Sequence, residues 1–329
     1  MEIGILDIVR KYIEKEEKGF VALDLGQGYI KGLYLEESHI KKVFVEKNRG
    51  NAIEASSEWL RREGLLGRPV SVAIKGENTL IRYVPFTKVD KKNIKEAFSY
   101  EVSKFIPFNK DNIYFDVCVI DENYSKNEFL VLLAVVKKDF LDGLISNFQS
   151  QNVNVQNVNL SNVALINLFL HTSPPQDNVA LVDVGAKSSL VTLIRKNIPC
   201  LSREGKVCAN DLFAKVAKTK KIDIKEAENT IATLENPDEI IEIVEEIGVE
   251  LAEEIKNSLD YFEVNWGRSI KRILLTGWLS SQGGIAKAMA NTLGIETIVW
   301  DPVEYSGVSF EGDISPFKEM LAVSLGLSL

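Results

Sequence analysis

The residues of this chain best suited to chemistry lie in a hairpin pattern near its start, at residues 20–35. An apolar run leads into Asp24, Gly26 and Gly28, and Lys31 opens the returning apolar run. The pattern predicts two strands joined by a glycine turn with an acid at its mouth. Glycines let backbone N–H groups approach an anion, and a neighbouring aspartate can hold a hydrated divalent cation. Taken alone, the pattern also fits an ordinary hairpin whose glycines serve only the turn.

A second copy of the pattern follows at residues 179–194. It repeats the apolar run, Asp183, Gly185, a few small residues and a returning run. A third element lies nearer the C-terminus, where a predicted strand at residues 272–276 runs into Gly277 and then into a helix. Two D-x-G hairpins at this separation indicate two similar halves, each offering one phosphate-facing turn.

This layout of a phosphate loop, a second phosphate loop and an adenosine loop resembles the actin-like ATPase superfamily. Within it, the sequence resembles the PilM family of type IV pilus assembly proteins and, more distantly, the cell-division protein FtsA. The run at residues 104–108 resembles the aromatic-Ile-Pro-Phe signature that ends the first insertion helix in PilM. In this run Pro107 stops the helix, and its apolar neighbours are predicted to fill a core. The resemblance covers essentially the whole chain after Lys18.

The predicted fold class is α/β: an actin-like (ribonuclease H-like) two-domain fold with a ferredoxin-like β-α-β-β-α-β insertion, as in FtsA and PilM. A short amphipathic helix is predicted at residues 1–19, and packing on the body is its simplest role. The predicted domains are the first actin-like half at residues 20–79 and 160–178, the inserted subdomain at 80–159, and the second half at 179–329.

Apolar periodicity and turn residues predict the remaining elements. Further strands are predicted at residues 40–47, 70–74, 81–86, 114–120, 128–136, 153–159, 198–205 and 295–300. Helices are predicted at residues 54–63, 91–105, 138–151, 162–170, 210–217, 224–233, 237–264 and 316–327.

Composition excludes several classes of protein. The chain has 329 residues, 45% of them hydrophobic and 26% charged, which suits a globular protein with two buried cores. A net charge of −8 argues against a nucleic-acid surface. Three cysteines without CxxC spacing and two distant histidines argue against a zinc site or a histidine-based triad. No apolar run is long enough to span a bilayer and no signal peptide is visible, so a cytoplasmic location is expected.

The resemblance implies a site for ATP and Mg²⁺ in the cleft between the two halves. Asp24 and Asp183 would bind Mg²⁺ through water. The implied nucleotide-binding residues are Asp24, Gly26, Gln27, Gly28 and Lys31 of the first turn, Asp183, Gly185, Ala186, Lys187 and Ser188 of the second, Glu228 of a following helix, and Gly277 of the adenosine loop.

The chain departs from the family pattern at several of these positions. The family's serine-rich first loop carries Gln27 and Tyr29 in place of two serines. Ser161 stands where the linking helix normally carries an acid, and Ile231 where a lysine is common. Trp278 follows Gly277 where a further glycine is usual. These departures predict little or no ATP hydrolysis, so the chain would be at most a weak ATPase, without an assigned catalytic residue.

The resemblance therefore implies a PilM-like scaffold of a type IV pilus assembly machine. It would recruit the cytoplasmic tail of an inner-membrane PilN-like protein through a groove near the strand at residues 80–86 and the helix at 91–105. It would lie at the inner membrane through its partners, meet the pilus motor ATPases and bind no nucleic acid; a homo-oligomer or ring is also compatible. Two alternatives stay open: a nucleotide-free scaffold resembling the cytoplasmic domain of GspL in type II secretion, and, on weaker grounds, a sugar or metabolite kinase.

Overall fold

The computed structural model describes residues 19–36, 39–172, 177–232, 240–315 and 317–329. The chain divides into two compact units. The first consists of Met1–Pro174, Val303–Pro316 and Ala322–Leu329, and the second of Pro175–Pro302 and Phe317–Leu321. The helix predicted at residues 1–19 lies almost wholly outside the described residues.

The first unit contains most of the strands and helices of the chain. They are β1 (Phe20–Leu25), β2 (Tyr29–Glu36), β3 (His39–Lys47), α1 (Ala52–Arg62), β4 (Val70–Ile74), β5 (Thr79–Thr87), α2 (Ile94–Ser99), β6 (Ile113–Asp121), β7 (Glu128–Lys137), α3 (Lys138–Ser150), β8 (Val155–Leu160) and α4 (Ser161–His171).

The main sheet of the first unit is built around β1. Its strand order is β14-β3-β2-β1-β4-β8, with β14 (Ser309–Phe310) contributed from near the C-terminus. β1 pairs antiparallel with β2 and parallel with β4, and its apolar residues from Val21 to Leu23 are fully buried. Helix α1 covers this sheet through Trp59, whose ring stacks on Phe44 at a centroid distance of 5.2 Å. A central strand buried on both faces explains the continuous apolar run before the acid.

The inserted segment forms a separate three-stranded sheet, in the order β5-β7-β6, with both pairings antiparallel. The predicted element order is present, but the ferredoxin-like sheet is not. β8 pairs in parallel with β4 in the main sheet, so the insertion keeps three strands rather than four. Helix α3 likewise buries Phe148 in the core of the main sheet. Whether β8 joins the insertion or the main sheet depends on pairing between strands that are distant in sequence. The spacing of apolar residues within one segment does not predict that pairing.

Strand β7 is buried on both faces because it separates two cores. Leu132, Ala134 and Val136 pack toward the core of the main sheet. The alternate residues Val131 and Leu133 pack into the insertion's own core together with α2. This period-two division explains a strand that is almost wholly apolar.

The helix predicted at residues 91–105 is broken into shorter turns. Only α2 is α-helical, and 3₁₀ turns lie on either side of it at Lys91–Asn93 and Val102–Lys104. After α2 the backbone bonds shorten to three residues, as in the bond from Glu101 N to Phe98 O. The break still buries Phe98, whose ring packs against Phe86 and Phe105. The segment therefore packs these aromatic rings together without forming one continuous α-helix.

The second unit is a five-stranded sheet with helical cover. Its elements are β9 (Asn178–Val184), β10 (Ser189–Arg195), β11 (Ile198–Gly205), α5 (Ala209–Lys220), α6 (Ile224–Ala232), α7 (Ile241–Trp266), β12 (Arg272–Thr276), α8 (Ile285–Leu293) and β13 (Glu296–Val299). The strand order is β11-β10-β9-β12-β13. α7 buries one apolar stripe that includes Val244, Leu251 and Phe262.

The last part of the chain belongs mostly to the first unit, and Phe317–Leu321 belongs to the second. After α9 (Pro302–Ser306) and β14, the predicted C-terminal helix is reduced to a 3₁₀ turn at Lys318–Leu321 and α10 (Ala322–Gly326). α10 packs on α4 so closely that a Cβ atom on residue 326 would lie 1.8 Å from Ala164 O. The predicted second half, which ran to residue 329, thus includes two segments that belong to the first unit. Among the described helices, none is both long and apolar enough to cross a membrane.

Candidate functional site

In the first hairpin, Asp24 and Lys31 form a buried ion pair. The two residues lie directly opposite each other in the pairing of β1 and β2. Lys31 Nζ lies 2.6 Å from Asp24 Oδ2, and Asp24 is 3% exposed. A contact this short between charged groups is a strong, charge-assisted hydrogen bond. The acid at the mouth of this turn is therefore paired within its own hairpin.

The turn between β1 and β2 is anchored by Asn48. The side-chain amide of Asn48 donates to Gly26 O at 2.9 Å, and its backbone N–H donates to Gly28 O at 2.8 Å. A Cβ atom on residue 26 would lie 2.4 Å from Tyr29 O, so only glycine fits there. Gln27, between the two glycines, is exposed. The turn is thus held in one shape with its central side chain in solvent.

The second turn, between β9 and β10, docks on the start of α5. Gly185 N donates to Ser188 O at 3.1 Å, which closes the turn. The first N–H groups of the helix, from Ala209 and Asn210, donate to Gly185 O and Ala186 O at 3.0 Å each. These bonds use two of the helix N–H groups that would otherwise have no partner in the helix. The turn and the start of α5 therefore form one rigid assembly.

The start of α5 is stabilised by Cys208 and Asp211. Asp211 Oδ2 accepts hydrogen bonds from Cys208 N at 2.9 Å and from Cys208 Sγ at 3.3 Å. Burial, and then the hydrogen bond to Asp211, raise the pKa of the Cys208 thiol to about 11. The thiol therefore stays protonated at neutral pH and acts as a buried donor.

The third predicted element meets the second turn at Asp183. Gly277, which has a φ of +89°, follows β12. A Cβ atom at residue 277 would lie 2.4 Å from Asp183 Oδ1 and 2.6 Å from Val184 N. The loop is held from the other side by Glu319 O, which accepts from Gly277 N at 2.9 Å. The second acid and the predicted adenosine loop are therefore in direct contact.

Trp278 packs into the core of the second unit. Its ring meets Phe213 of α5 edge-to-face, with the centroids 4.9 Å apart. Trp278, the large residue that follows Gly277 in the predicted adenosine loop, therefore packs against α5. Its presence does not prevent the glycine at 277 from making a close backbone contact.

The remaining predicted site residues of the second unit differ in exposure. Lys187 is exposed, whereas Ser188 is buried, and its hydroxyl has no hydrogen-bond partner within the described residues. Glu228 on α6 is 9% exposed. Ile231, which stands in place of the usual lysine, is buried in the core of this unit. The Ser188 hydroxyl is therefore a buried donor beside the second turn without an acceptor in the described part of the chain.

The two acids predicted to bind Mg²⁺ through water, Asp24 and Asp183, lie in different surroundings. Asp24 already contacts the Lys31 ammonium, and Asp183 Oδ1 lies against the backbone of Gly277. Across the described part of the chain, no group of three or more His, Cys, Asp or Glu side chains could hold a metal ion. Mg²⁺ bound through water does not need such a group, because one or two carboxylates together with phosphate oxygens of a ligand usually hold it. The predicted Mg²⁺ site therefore stays a prediction.

The structure thus brings together two sets of the predicted residues, each within one unit. Asp24, Gly26 and Lys31 lie together in the first, and Asp183, Gly185 and Gly277 cluster around the end of β9 in the second. Sequence reasoning missed Asn48 and the Cys208–Asp211 cap. Asn48 could have been found from the sequence, because an asparagine that follows a strand and stands two residues before a glycine, here Gly50, is a turn signal.

Comparison with solved structures places the fold in the actin-like class. A PilM–PilN type IV pilus biogenesis complex matches with a TM-score of 0.80 and 19% identity over 94% of this chain and 97% of that chain. ADP-bound MreB5 of Spiroplasma citri matches with a TM-score of 0.53 and 9% identity over 94% of this chain and 95% of that one. At such identities the likeness shows the fold alone.

The family is shown by the sequence itself. The family model described as type IV pilus assembly protein PilM matches residues 28–329, so the chain belongs to the PilM family.

The cytoplasmic domain of EpsL, an inner-membrane component of the type II secretion system of Vibrio cholerae, matches in structure with a TM-score of 0.50. Its identity is 10%, over 93% of this chain and 94% of that one. A search of curated proteins gives no match.

Proposed function

We propose that this member of the PilM family is a scaffold that binds ATP through its two D-x-G turns and recruits the tail of a PilN-like inner-membrane protein. Its role in type IV pilus assembly follows from the family. The observation that supports ATP binding best is the repeated turn: Asp24 and Asp183 occupy the same position, at or next to the end of the strand that leads into each glycine turn.

Three further features support the nucleotide. The turn at Gly185 carries an unsatisfied hydroxyl, on Ser188. Gly277 lies against Asp183 and Val184, so the predicted adenosine loop is beside the second turn, and Trp278 packs on Phe213 of α5. The exposed Lys187 adds a positive charge near a polyanion.

Hydrolysis is expected to be slow or absent. Ser161, at the position where the family usually has an acid, is fully buried, and its hydroxyl donates to Ile74 O at 3.3 Å. A hydroxyl committed to a carbonyl is neither basic nor available to orient water. ATP would then act as a bound ligand that stabilises one form of the scaffold.

The insertion supplies a surface for the tail. β5 is an edge strand of the three-stranded sheet, and an edge strand can accept an extended peptide as an additional strand. Pro85 has no N–H to donate, so pairing would run along the first part of β5. Tyr100, beside α2, is 81% exposed and is suited to anchor an apolar side chain.

A labelled peptide of the tail, taken from the PilN-like protein that accompanies this chain, tests the recruitment. Fluorescence anisotropy should show saturable binding that Tyr100→Lys weakens by about tenfold or more. Tyr124→Lys is the matched control because Tyr124 lies on the β6–β7 loop of the same insertion and is 36% exposed. Equal affinities of the wild type and both variants would contradict the surface, and absence of binding would contradict the recruitment.

ATP binding is tested by thermal unfolding at increasing ATP concentrations. A ligand that binds only the folded chain raises the melting temperature progressively. An unchanged melting temperature at millimolar ATP would favour the nucleotide-free scaffold that resembles the GspL domain. Contacts with the pilus motor ATPases, attachment to the inner membrane through partners and assembly into rings stay predictions.

A further inference from the structure

A pocket with several basic side chains lies in the second unit, at the end of β9 that is opposite the D-x-G turn. Its volume is about 220 Å³, and it is lined by Asp177, Asn178, Lys196, Arg268, Ser269 and Lys271. Asn178 is the first residue of β9, whereas Asp183 lies near the end of that strand. At about 3.3 Å per residue, the two residues are about 17 Å apart along the strand. The basic pocket is therefore separate from the proposed nucleotide site.

Three segments of the chain form the basic pocket, and hydrogen bonds tie them together. Lys196 N donates to Asp177 O at 3.2 Å, and Lys271 N donates to Asn178 O at 2.8 Å. The side-chain amide of Asn178 donates to Ser269 O at 3.2 Å. The start of β9, the turn between β10 and β11, and the connection from α7 to β12 are thus held in place without a ligand. A site formed in advance needs less ordering when it binds.

The turn between β10 and β11 fixes the backbone of Lys196. Arg195 and Ile198 pair with each other, so residues 196–197 form a two-residue hairpin loop. Both loop residues have positive φ, +47° at Lys196 and +68° at Asn197. This combination is typical of a type I′ turn, which is tight and matches the twist of the two strands. The turn therefore presents Lys196 from a defined position on the pocket.

The three cations of the basic pocket are not neutralised by carboxylates. Lys196, Arg268 and Lys271 are exposed, and their side chains make no ion pair or hydrogen bond within the described part of the chain. Asp177, which also lines the pocket, pairs with none of them there. By contrast, Lys215 of the same unit pairs with two glutamates of α7. In a chain with a net charge of −8, the pocket is thus a local excess of positive charge.

The chemistry of the basic pocket suits a phosphate group. A phosphate monoester carries a charge of about −1.5 to −2 at pH 7 and has three strong acceptor oxygens. Arg268 can offer paired N–H groups, and each lysine offers three N–H donors. The hydroxyl of Ser269, which is half-buried, donates to no acceptor within the described residues. A carboxylate has one charge and two oxygens, so it would match fewer of these donors.

We propose that this pocket binds the dianion of a phosphate monoester, with Arg268 and Lys271 as its main ligands and Lys196 closing it from the hairpin turn. The site is additional to the proposed nucleotide site and does not depend on it. The monoester can belong to a soluble molecule or to a lipid headgroup such as that of phosphatidic acid. Both present the same group to the pocket, and the experiment distinguishes them.

Titration of the full chain with glycerol 3-phosphate, followed by the amide NMR signals of Lys196, Ser269 and Lys271, tests the soluble ligand. Excess ATP is present throughout, so that the proposed nucleotide site is occupied. The three signals should shift and saturate at millimolar glycerol 3-phosphate, whereas glycerol, which lacks the phosphate, should leave them unchanged. The lipid is tested by cosedimentation with phosphatidylcholine vesicles that contain or lack phosphatidic acid. Absence of binding in both experiments would overturn the proposal.

A variant without two of the cations assigns any binding to the basic pocket. Arg268→Gln with Lys271→Gln should weaken it by about tenfold or more, because charge-assisted hydrogen bonds to phosphate are lost. Lys225→Gln with Lys287→Gln is the matched control, since it removes two exposed cations of the same unit that do not line the pocket. Equal affinities of the two double variants would mean that the attraction is general, and would overturn the proposal.

The fold of these variants is checked by thermal melting. Arg268 and Lys271 are exposed, and the bond from Lys271 to Asn178 O uses the backbone, so it does not depend on the side chain. If the double variant unfolds, Lys271→Gln alone should weaken binding severalfold. Wild-type affinity of a folded Lys271→Gln would contradict the proposal.

Discussion

Gly277 and Asp183 are in contact at the end of the central strand pair of the second unit, where β12 runs parallel to β9. The contact leaves no room for a side chain at residue 277, because the Asp183 carboxylate and the Val184 backbone fill that space. It joins the predicted adenosine loop to the second acid.

Replacement of Gly277 by alanine should damage both stability and ATP binding. The new Cβ would collide with the backbone of Val184, and φ at 277 is +89°. A strained backbone of this kind costs about 1–3 kcal/mol. Urea unfolding and ATP titration measure the two effects. Gly283→Ala is the control, since a Cβ there would meet nothing within 4 Å; equal behaviour of the two variants would contradict the close contact.

Trp278→Ala should lower stability rather than improve access for a ligand. The ring packs edge-to-face on Phe213, and removal of a large aromatic side chain from such a position costs about 3–5 kcal/mol when fully buried, and less for this half-buried residue. Trp278→Phe keeps an aromatic contact and should lose much less. Chemical denaturation of the three proteins gives the comparison. Tighter ATP binding by a fully stable Trp278→Ala would show that the indole blocks the loop.

Asn48→Ala should weaken ATP binding by loosening the first turn. The substitution removes the bond that Asn48 donates to Gly26 O and the bond that its side-chain oxygen accepts from Gly50 N, and a net contribution of about 0.5–1.5 kcal/mol is typical of each hydrogen bond. The backbone bond from residue 48 to Gly28 O stays, so the fold should be kept. Titration with ATP measures the affinity, and a thermal melt measures the stability of the fold. An unchanged affinity would mean that the first turn does not need the Asn48 side chain to bind ATP.

The Cys208 thiol should make the second unit sensitive to alkaline pH. Its pKa is raised to about 11 by burial and by Asp211, whereas an unfolded cysteine titrates at about 8.5. Between these values the unfolded chain loses a proton that the folded chain keeps. The stability that this group contributes is therefore complete below about pH 8.5 and declines as the pH rises toward 11.

Cys208→Ser isolates this effect because serine does not titrate in that range and still caps α5. Urea unfolding at pH 8 and at pH 10.5 should show a smaller loss of stability in the variant than in the wild type. An equal loss in both proteins would mean that other groups, such as Tyr34 with its raised pKa of about 12, account for the decline.

Much of the fold could be predicted from local patterns. The strands at 70–74 and 272–276 match β4 and β12 because short apolar runs between turn residues have few other interpretations. The pairing of Asp24 with Lys31 was also within reach: once residues 25 and 30 close the hairpin, residues 24 and 31 must lie opposite each other.

Features set by distant contacts could not be predicted in this way. β8 leaves the insertion because it pairs with β4, about 85 residues earlier in the chain. The direction of the Trp278 ring depends on Phe213, which lies on a different element. The helix at residues 91–105 is interrupted because Phe98 must meet Phe86 across the insertion's core. None of these contacts leaves a periodic signal in the segment concerned.

The measurement that tests the central claim most directly is calorimetric titration of the purified full chain with ATP in buffer containing Mg²⁺. The account predicts saturable binding of one ATP per chain, with a dissociation constant in the range of about 1 μM to 1 mM, or about −8 to −4 kcal/mol. Asp183→Ala, which removes the acid that contacts Gly277, should weaken this binding while the wild type retains it. No heat of binding at millimolar ATP would contradict the account and leave the D-x-G turns as structural features of a nucleotide-free scaffold.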